Sequence, residues 1–538
     1  MTGVDSDADR SGGDSGPSRE TVVASPVPEP GETAEPAAAG NARRGRFARW
    51  AMDVRPLRVP AYRRLWIGNG VSMFGFQLTA VAVPVEMFAL TDASLWVGLL
   101  GIAGFVPLLV FGLWGGAVAD AVDRRKLLLA SSVLMWISTL GLLLQALFRV
   151  GSPILLLVLV AVQTTAFAIS SPARQAIIAR LVPTSLVPAA NTLGYTTTTA
   201  GGVLGPLAAG LVFSAGPVEA VLPVAYAVDA VLFTVSLWAT YRLPSMPPLD
   251  DGGPPRRVGL ASVVDGFRYL ATTPVLLLSF AVDIIAMVLA MPRALFPEVA
   301  QERFGGGSAV GWLFSAIAIG SVLGGLTSGW ISRVRRQGLA LVGAVIGWGL
   351  AIAAAGLARQ LWLAVVLLAV AGAADLVSAV FRQSMLQVYA PDRLRGRLQG
   401  VNITVVAGGP RLGDLRAGST AAAFGVGFAW VGGGVVAAIL ALLLGVLFPA
   451  LVRYRAPHPD DEQSDPGATD GSGPADAAAN GSGAAGVAAT GSGAAGAVAA
   501  GSGAAGVAAT GSGTAGAATG GSGSGSGAAS GQPGAAAG

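Results

Sequence analysis

Twelve apolar runs of spanning length alternate with short polar stretches, near 66–90, 96–119, 127–148, 153–173, 192–214, 220–241, 274–297, 309–332, 338–357, 361–381, 399–423 and 428–450. A run of about 20 apolar residues is what an α-helix needs to cross hydrocarbon. The runs are long and continuous, not alternating, which rules out barrel strands. The pattern therefore predicts an all-α membrane protein with twelve transmembrane helices. The eleventh run is the weakest, because Arg411, Asp414 and Arg416 fall inside it.

The two ends read differently. Residues 1–42 hold eight acids and two arginines among Pro, Gly, Ser and Thr, too little apolar surface to fold, and they lack the basic start and apolar run of a signal peptide. Residues 456–538 contain repeats such as GSGAAGVAAT at 481 and again at 501, a Gly/Ala/Ser linker with nothing large to stack. Both are expected to be disordered tails. Between them the pattern predicts a first six-helix bundle over 43–241, a cytoplasmic linker over 242–273 and a second bundle over 274–455.

Arginine placement orients the spans. The segment before the first run, the loops after runs two, four, six, eight and ten, and the segment after run twelve carry 26 basic residues, whereas the opposite loops carry only Arg149, Arg303 and Arg359. By the positive-inside rule both termini are cytoplasmic.

Composition narrows the function. Hydrophobic residues make up 53% of the chain and charged ones 12%, against about 25% charged in soluble domains. There is no cysteine, and the one histidine, His458, lies in the tail, so the core offers no thiolate or His-based metal site and no Ser-His triad. No metal or cofactor is expected, and no enzyme. The formal charge of +4 is too small for a nucleic-acid binder. Lys126 is the only lysine, which excludes a built-in phosphate-binding loop of the Gly-x4-Gly-Lys type; with so much Ala and Gly it also suggests a GC-rich genome and hence a bacterial plasma membrane. A scaffold whose tails recruit partners is the alternative from another class, but the tails carry no aromatic anchors.

The chain also resembles itself. A shift of 208 residues places Arg174-Gln175 on Arg382-Gln383, Pro183 on Pro391, Gly201 and Gly205 on Gly409 and Gly413, and Gly116 on Gly324. Two similar six-span halves predict a transporter with its substrate path between them near the midplane.

The residues after run two, Gly116-Ala117-Val118-Ala119-Asp120-Ala121-Val122-Asp123-Arg124-Arg125, resemble the loop motif of the major facilitator superfamily, although Ala121 replaces its usual basic residue and Asp123 its usual glycine. Gly201, Gly205-Pro206 and Gly210 resemble that superfamily's antiporter motif, with Ala209 at the penultimate glycine. The stretches Ser171-Pro172-Ala173-Arg174-Gln175-Ala176, Phe267-Arg268-Tyr269-Leu270, Pro292-Arg293-Ala294-Leu295-Phe296-Pro297 and Met385-Leu386-Gln387 are similar to its siderophore-exporter and drug-efflux subgroup. The resemblance spans 55–455. It implies two pseudo-symmetric six-helix bundles, alternating access, and export by proton antiport of a small hydrophobic or siderophore-like molecule, or of macrolide-type drugs. The proton gradient would be the energy source, and the expected working unit is a monomer in the lipid bilayer. Gly116, Asp120, Asp123, Arg124, Arg125, Arg174 and Arg382 would form the cytoplasmic gate that holds the halves together.

Ionisable groups inside the runs are the candidate site, since each costs roughly 2.5–3.5 kcal/mol at a helix centre on insertion scales and so faces a cavity or a partner. Spans one, four, seven and ten line the cavity in the superfamily, which favours Glu86, Asp283 and Asp375 there, with Gln163 as a neutral substrate contact. Asp283 is the expected proton carrier. Arg411 and Asp414, three apart on one face, either pair or clasp an anion. Asp375 and Arg382, seven apart, form a candidate latch. Asp229 is expected to be structural. The orientation is directly testable: with no native cysteine, Arg359→Cys should label with an impermeant maleimide on intact cells and Arg335→Cys only after permeabilisation. The reverse pattern would invert the topology.

Overall fold

The structure is a computed structural model and describes residues 53–247, 268–390 and 392–455. The segments 1–42 and 456–538, the middle of the linker, and Gly116 and Asp120, whose side chains lie in an undescribed stretch of helix, fall outside the described residues. Long helices follow the twelve apolar runs: α1 Pro60–Thr91, α2 Ser94–Ala121, α3 Arg124–Leu147, α4 Pro153–Leu181, α5 Val187–Ser214, α6 Val218–Tyr241, α7 Pro274–Ile284, α8 Ser308–Leu326, α9 Gln337–Leu357, α10 Leu361–Tyr389, α11 Asp392–Phe424 and α12 Val426–Leu447. No strand occurs among the described residues. Eleven spans are apolar enough to cross a membrane by composition alone, and α11 is the one that is not.

Local chemistry sets the ends. Proline opens α1, α4 and α7, where its missing N–H has no helical partner to lose. The Ser152 hydroxyl caps α4 by accepting from the Leu155 N–H. Asp92 closes α1 in the left-handed region, at φ 47°. The seventh span is broken. One residue after Asp283 the α-helix gives way to a π turn, Ile285–Leu289, and the chain resumes as a short helix, Phe296–Phe304. Such π turns loosen a helix locally and gather at functional sites.

Packing repeats from half to half. In the first half α1 packs on α5 and α6, α2 on α4, and α3 on α4 and α6; in the second, α7 and its π turn pack on α11 and α12, α8 on α10, and α9 on α10 and α12. The predicted repeat is thus a repeat of contacts. Large apolar side chains such as Leu211, Leu326, Trp362 and Val446 point outward, the surface that hydrocarbon requires.

The halves meet mainly through α2 with α11 and α5 with α8, which are symmetry mates of each other. The contacts gather at the end of the bundle bearing loops 1–2 and 7–8. There Gly98 and Gly101 face the α11 backbone at Asp414 and Arg411, and Gly418 faces Ser94. The Ser94 hydroxyl donates to the Glu298 carboxylate across the halves. On α5, Gly210 of the antiporter-like motif lies against Gly311 of α8, where an added Cβ on Gly311 would come within 2.7 Å of the Gly210 Cα. Toward the basic end α2 opens: among the described residues nothing from another helix lies within 4 Å of a Cβ placed on Gly112, and Leu109 and Val110 are exposed.

At the basic end Asp123 N-caps α3, accepting from the N–H groups of Arg125 at 2.8 Å and Lys126 at 3.2 Å. Its other oxygen accepts from the Ser245 hydroxyl at 2.6 Å and the Met246 N–H at 3.2 Å. The Arg124 N–H donates to the Met246 carbonyl, and the Arg125 guanidinium to the Tyr241 carbonyl. The family pattern has this motif join the two halves; in this conformation Asp123 and Arg125 instead bind the end of α6 and the start of the linker. Partial burial pushes the Asp123 carboxyl up, but the hydrogen bonds from Ser245, Lys126, Arg125 and Met246 together outweigh it and hold the group below its ordinary value.

Two outcomes follow from these contacts. Gly311→Val should stop α5 and α8 from meeting, lower the melting temperature in detergent and expose a cysteine placed at Val97 to maleimide. Unchanged melting and labelling would show that the glycine contact does not seal this end. Asp123→Ala should cost about 1 kcal/mol, the usual worth of an N-cap. Because the folded value is lowered, that contribution is full above the ordinary carboxylate range and fades as pH falls through the lowered value. Hydrogen exchange at the start of α3, followed against pH in wild type and Asp123→Ala, measures both.

Candidate functional site

A cavity lies between the halves, lined on one side by Gln77, Thr79, Gln163 and Thr164 and on the other by Arg293, Asp375, Arg411 and Asp414. Phe76, Phe167, Phe314 and Trp348 supply much of the apolar wall. Of the residues singled out in the sequence, Gln163, Asp375, Arg411 and Asp414 are therefore at the cavity, whereas Glu86 and Asp283 stand behind its wall.

Glu86 is held inside the first half. It accepts from the Gln145 amide at 2.5 Å and the Tyr226 hydroxyl at 2.6 Å, which ties α1 to α3 and α6. Asp283 is 2% exposed and forms an ion pair with Arg382, itself 3% exposed. The sequence reading put Arg382 in a cytoplasmic loop; the structure corrects this, because α10 continues to Tyr389 and buries the guanidinium. It also replaces the proposed Asp375–Arg382 latch. Arg382 reaches across to α7 and pairs with Asp283, while Asp375 stands about two turns back along α10, at the cavity.

Arg174 is the repeat mate of Arg382. It too lies within a helix, α4, and donates to the Asn69 side chain of α1 at 2.9 Å. In each half the paired arginine therefore binds span four to span one, or span ten to span seven.

At the sealed end the three charges of α11 each find a partner. Asp414 accepts from the Arg293 guanidinium at 2.8 Å, with both side chains largely buried. Arg411 therefore does not form the expected pair with Asp414. It crosses to the first half and donates to the Gly104 carbonyl of α2 at 2.7 Å. Arg416 donates to the carbonyls of Ala429 at 2.9 Å and Val288 at 3.2 Å, fixing α11 to α12 and to the π turn. These bonds explain how a span too polar by hydropathy sits inside the bundle. Arg293 is the participant that sequence reasoning missed. Its signal was present: three charges in one span call for a partner, and Arg293 stands at the end of the seventh run.

The antiporter-like motif is a packing device. Gly205 lies against Gln77 and Gly201 against Met73, bringing α5 onto α1, while Pro206 and Gly210 meet Gly311. Gly413, the repeat mate of Gly205, lies against Met287 of the seventh span.

Comparison with known proteins agrees with this architecture. Residues 51–475 match the family model described as transmembrane secretion effector. The chain is 31% identical over 438 residues to the enterobactin exporter EntS of Shigella boydii serotype 18, covering 77% of this chain and 99% of that protein. It is 30% identical over 438 residues to the EntS of Escherichia coli O1:K1, with the same coverage. Among solved structures it resembles a point mutant of the nucleoside transporter NupG, with a TM-score of 0.61, 16% identity and coverage of 72% of this chain and 100% of that one. A bacterial homologue of the human lysosomal transporter Spinster gives a TM-score of 0.57 and 18% identity, covering 74% and 97%. At those identities the structural likeness speaks to the fold alone. The chain belongs to the transmembrane secretion effector family of the major facilitator superfamily, and is a multi-pass membrane transporter rather than an enzyme.

Proposed function

We propose that this transporter is a proton-coupled exporter that works by alternating access, with both termini cytoplasmic in a bacterial plasma membrane, and that it moves a small hydrophobic or siderophore-like molecule. The observation that carries the reading is the buried Asp283–Arg382 pair inside the second half, with Asp375 on the same helix as Arg382 and lining the cavity between the halves. With the arginine-rich loops cytoplasmic, the sealed end is the outer one and the cavity opens inward. Substrate enters from the cytoplasm against the apolar wall and the polar groups of Gln77, Gln163 and Thr164. The Asp375–Asp283 pair gives up its shared proton on this side and regains one when the halves rock to face outward. The proton gradient then drives export without a bound cofactor. The relatives named as enterobactin exporters support a siderophore-like substrate; the aromatic wall of Phe76, Phe167, Phe314 and Trp348 equally favours the second reading, a broad-specificity drug exporter.

Inverted vesicles carrying a pH-sensitive dye distinguish the two. Under an imposed proton gradient, a catecholate siderophore should collapse the gradient where macrolides and lipophilic cations do not. Collapse by all of them supports the drug exporter, and collapse by none removes the antiport reading. Asp283→Asn should abolish the response while the protein still reaches the membrane. Transport that stays coupled in this variant would exclude Asp283 from the mechanism.

A further inference from the structure

The first half contains a buried carboxyl that the export reading does not use. Asp229, on α6, is 0% exposed. Its Oδ2 accepts from the Thr79 hydroxyl of α1 at 2.6 Å, and the Thr139 hydroxyl of α3 lies near the carboxyl. Its Oδ1 is buried without a hydrogen-bond partner. Among the described residues no ion pair is made to it. The groups facing it from the helices around it are uncharged or acidic: Gly75 and Thr79 from α1, Thr139 from α3, Tyr226 one turn back on α6, and Glu86 beyond Tyr226. Asp283 has a guanidinium; Asp229 has only hydroxyls. A buried carboxylate without a cation is far more costly than a neutral acid, so the proton is the missing partner.

The position is not arbitrary. The shift of 208 residues that places Arg174 on Arg382 also places Gly75 on Asp283. A Cβ on Gly75 would lie 2.6 Å from the Asp229 Oδ1. The α6 carboxyl therefore fills the space next to α1 that a side chain at the repeat mate of Asp283 would take. Thr79 also lines the cavity, and so does Gln163, whose Nε2 donates to the Thr139 Oγ1 at 3.3 Å. That bond occupies an acceptor site of Thr139 and leaves its O–H free to point at Asp229.

We propose that Asp229 is a second proton-binding site, in the first half, which exchanges with the cavity through the Thr79 hydroxyl and is oriented by the Thr139–Gln163 pair. A hydronium in the cavity gives a proton to the Thr79 Oγ1 and is left as water, as that hydroxyl's own proton passes to the Asp229 Oδ2. The threonine is left neutral and the carboxyl becomes an acid; release reverses each transfer. The two halves then carry proton-binding carboxyls in different settings, one beside an arginine and one among hydroxyls. This goes beyond the second-half site and needs no particular substrate.

Infrared difference spectroscopy of the purified full chain in lipid, between acid and alkaline pH, tests it without any substrate, so its failure is separable from failure of the export reading. Asp229→Asn, which keeps the size of the side chain, should lose one neutral-carboxyl C=O band present in wild type. Asp283→Asn should retain that band. Thr79→Val, which leaves the acid but removes its hydrogen bond, should keep the band, shifted to higher frequency and slower to exchange with deuterated solvent. Gln163→Leu should slow exchange without removing the band. A spectrum of Asp229→Asn that superimposes on wild type overturns the proposal. Should that variant not fold, an unshifted band with unchanged exchange in Thr79→Val overturns it equally.

Discussion

A charge inside hydrocarbon has to meet a partner, and most of this structure follows from that constraint. Inside the bundle Asp283 meets Arg382, Asp414 meets Arg293, and Arg411 and Arg416 meet backbone carbonyls. Each pairing crosses from one helix to another. The polar groups therefore do more than survive burial, because they select which helices lie side by side. Apolar packing alone discriminates poorly in a lipid environment, where the tails are as oily as the side chains.

The fold was largely legible because span length and arginine placement are one-dimensional signals. Run length alone located every span, and the offset between Arg174 and Arg382 exposed the repeat. The site was less legible, for a physical reason. A sequence shows that Arg411, Asp414 and Arg382 are costly where they stand, but not which helix supplies the partner. Spacing along one helix suggested Arg411 with Asp414 and Asp375 with Arg382. Both partners came from elsewhere, because an arginine side chain is long enough to cross an interhelical gap and a neighbouring span offered a better-placed acceptor. Arg382 was taken for a loop residue since its charge ended the hydropathic run, whereas the helix itself continued for two more turns to Tyr389.

The broken seventh span shows a second limit. Its residues read as one uninterrupted apolar run, yet the helix changes pitch right after Asp283. Nothing in the composition of Ile285–Leu289 foretells this. The change arises from contacts: the Arg416 guanidinium takes the Val288 carbonyl, and Gly413 lies against Met287. The same two contacts join the turn to α11, so α11 links the turn beside the buried ion pair to the seam between the halves.

That seam has its own consequence. Gly98, Gly101 and Gly418 let the main chains of α2 and α11 lie directly on one another. A single methyl group added at any of these three glycines would press on a main-chain oxygen of the other half, so the closeness of the two halves hangs on hydrogen atoms where any other residue would carry carbon.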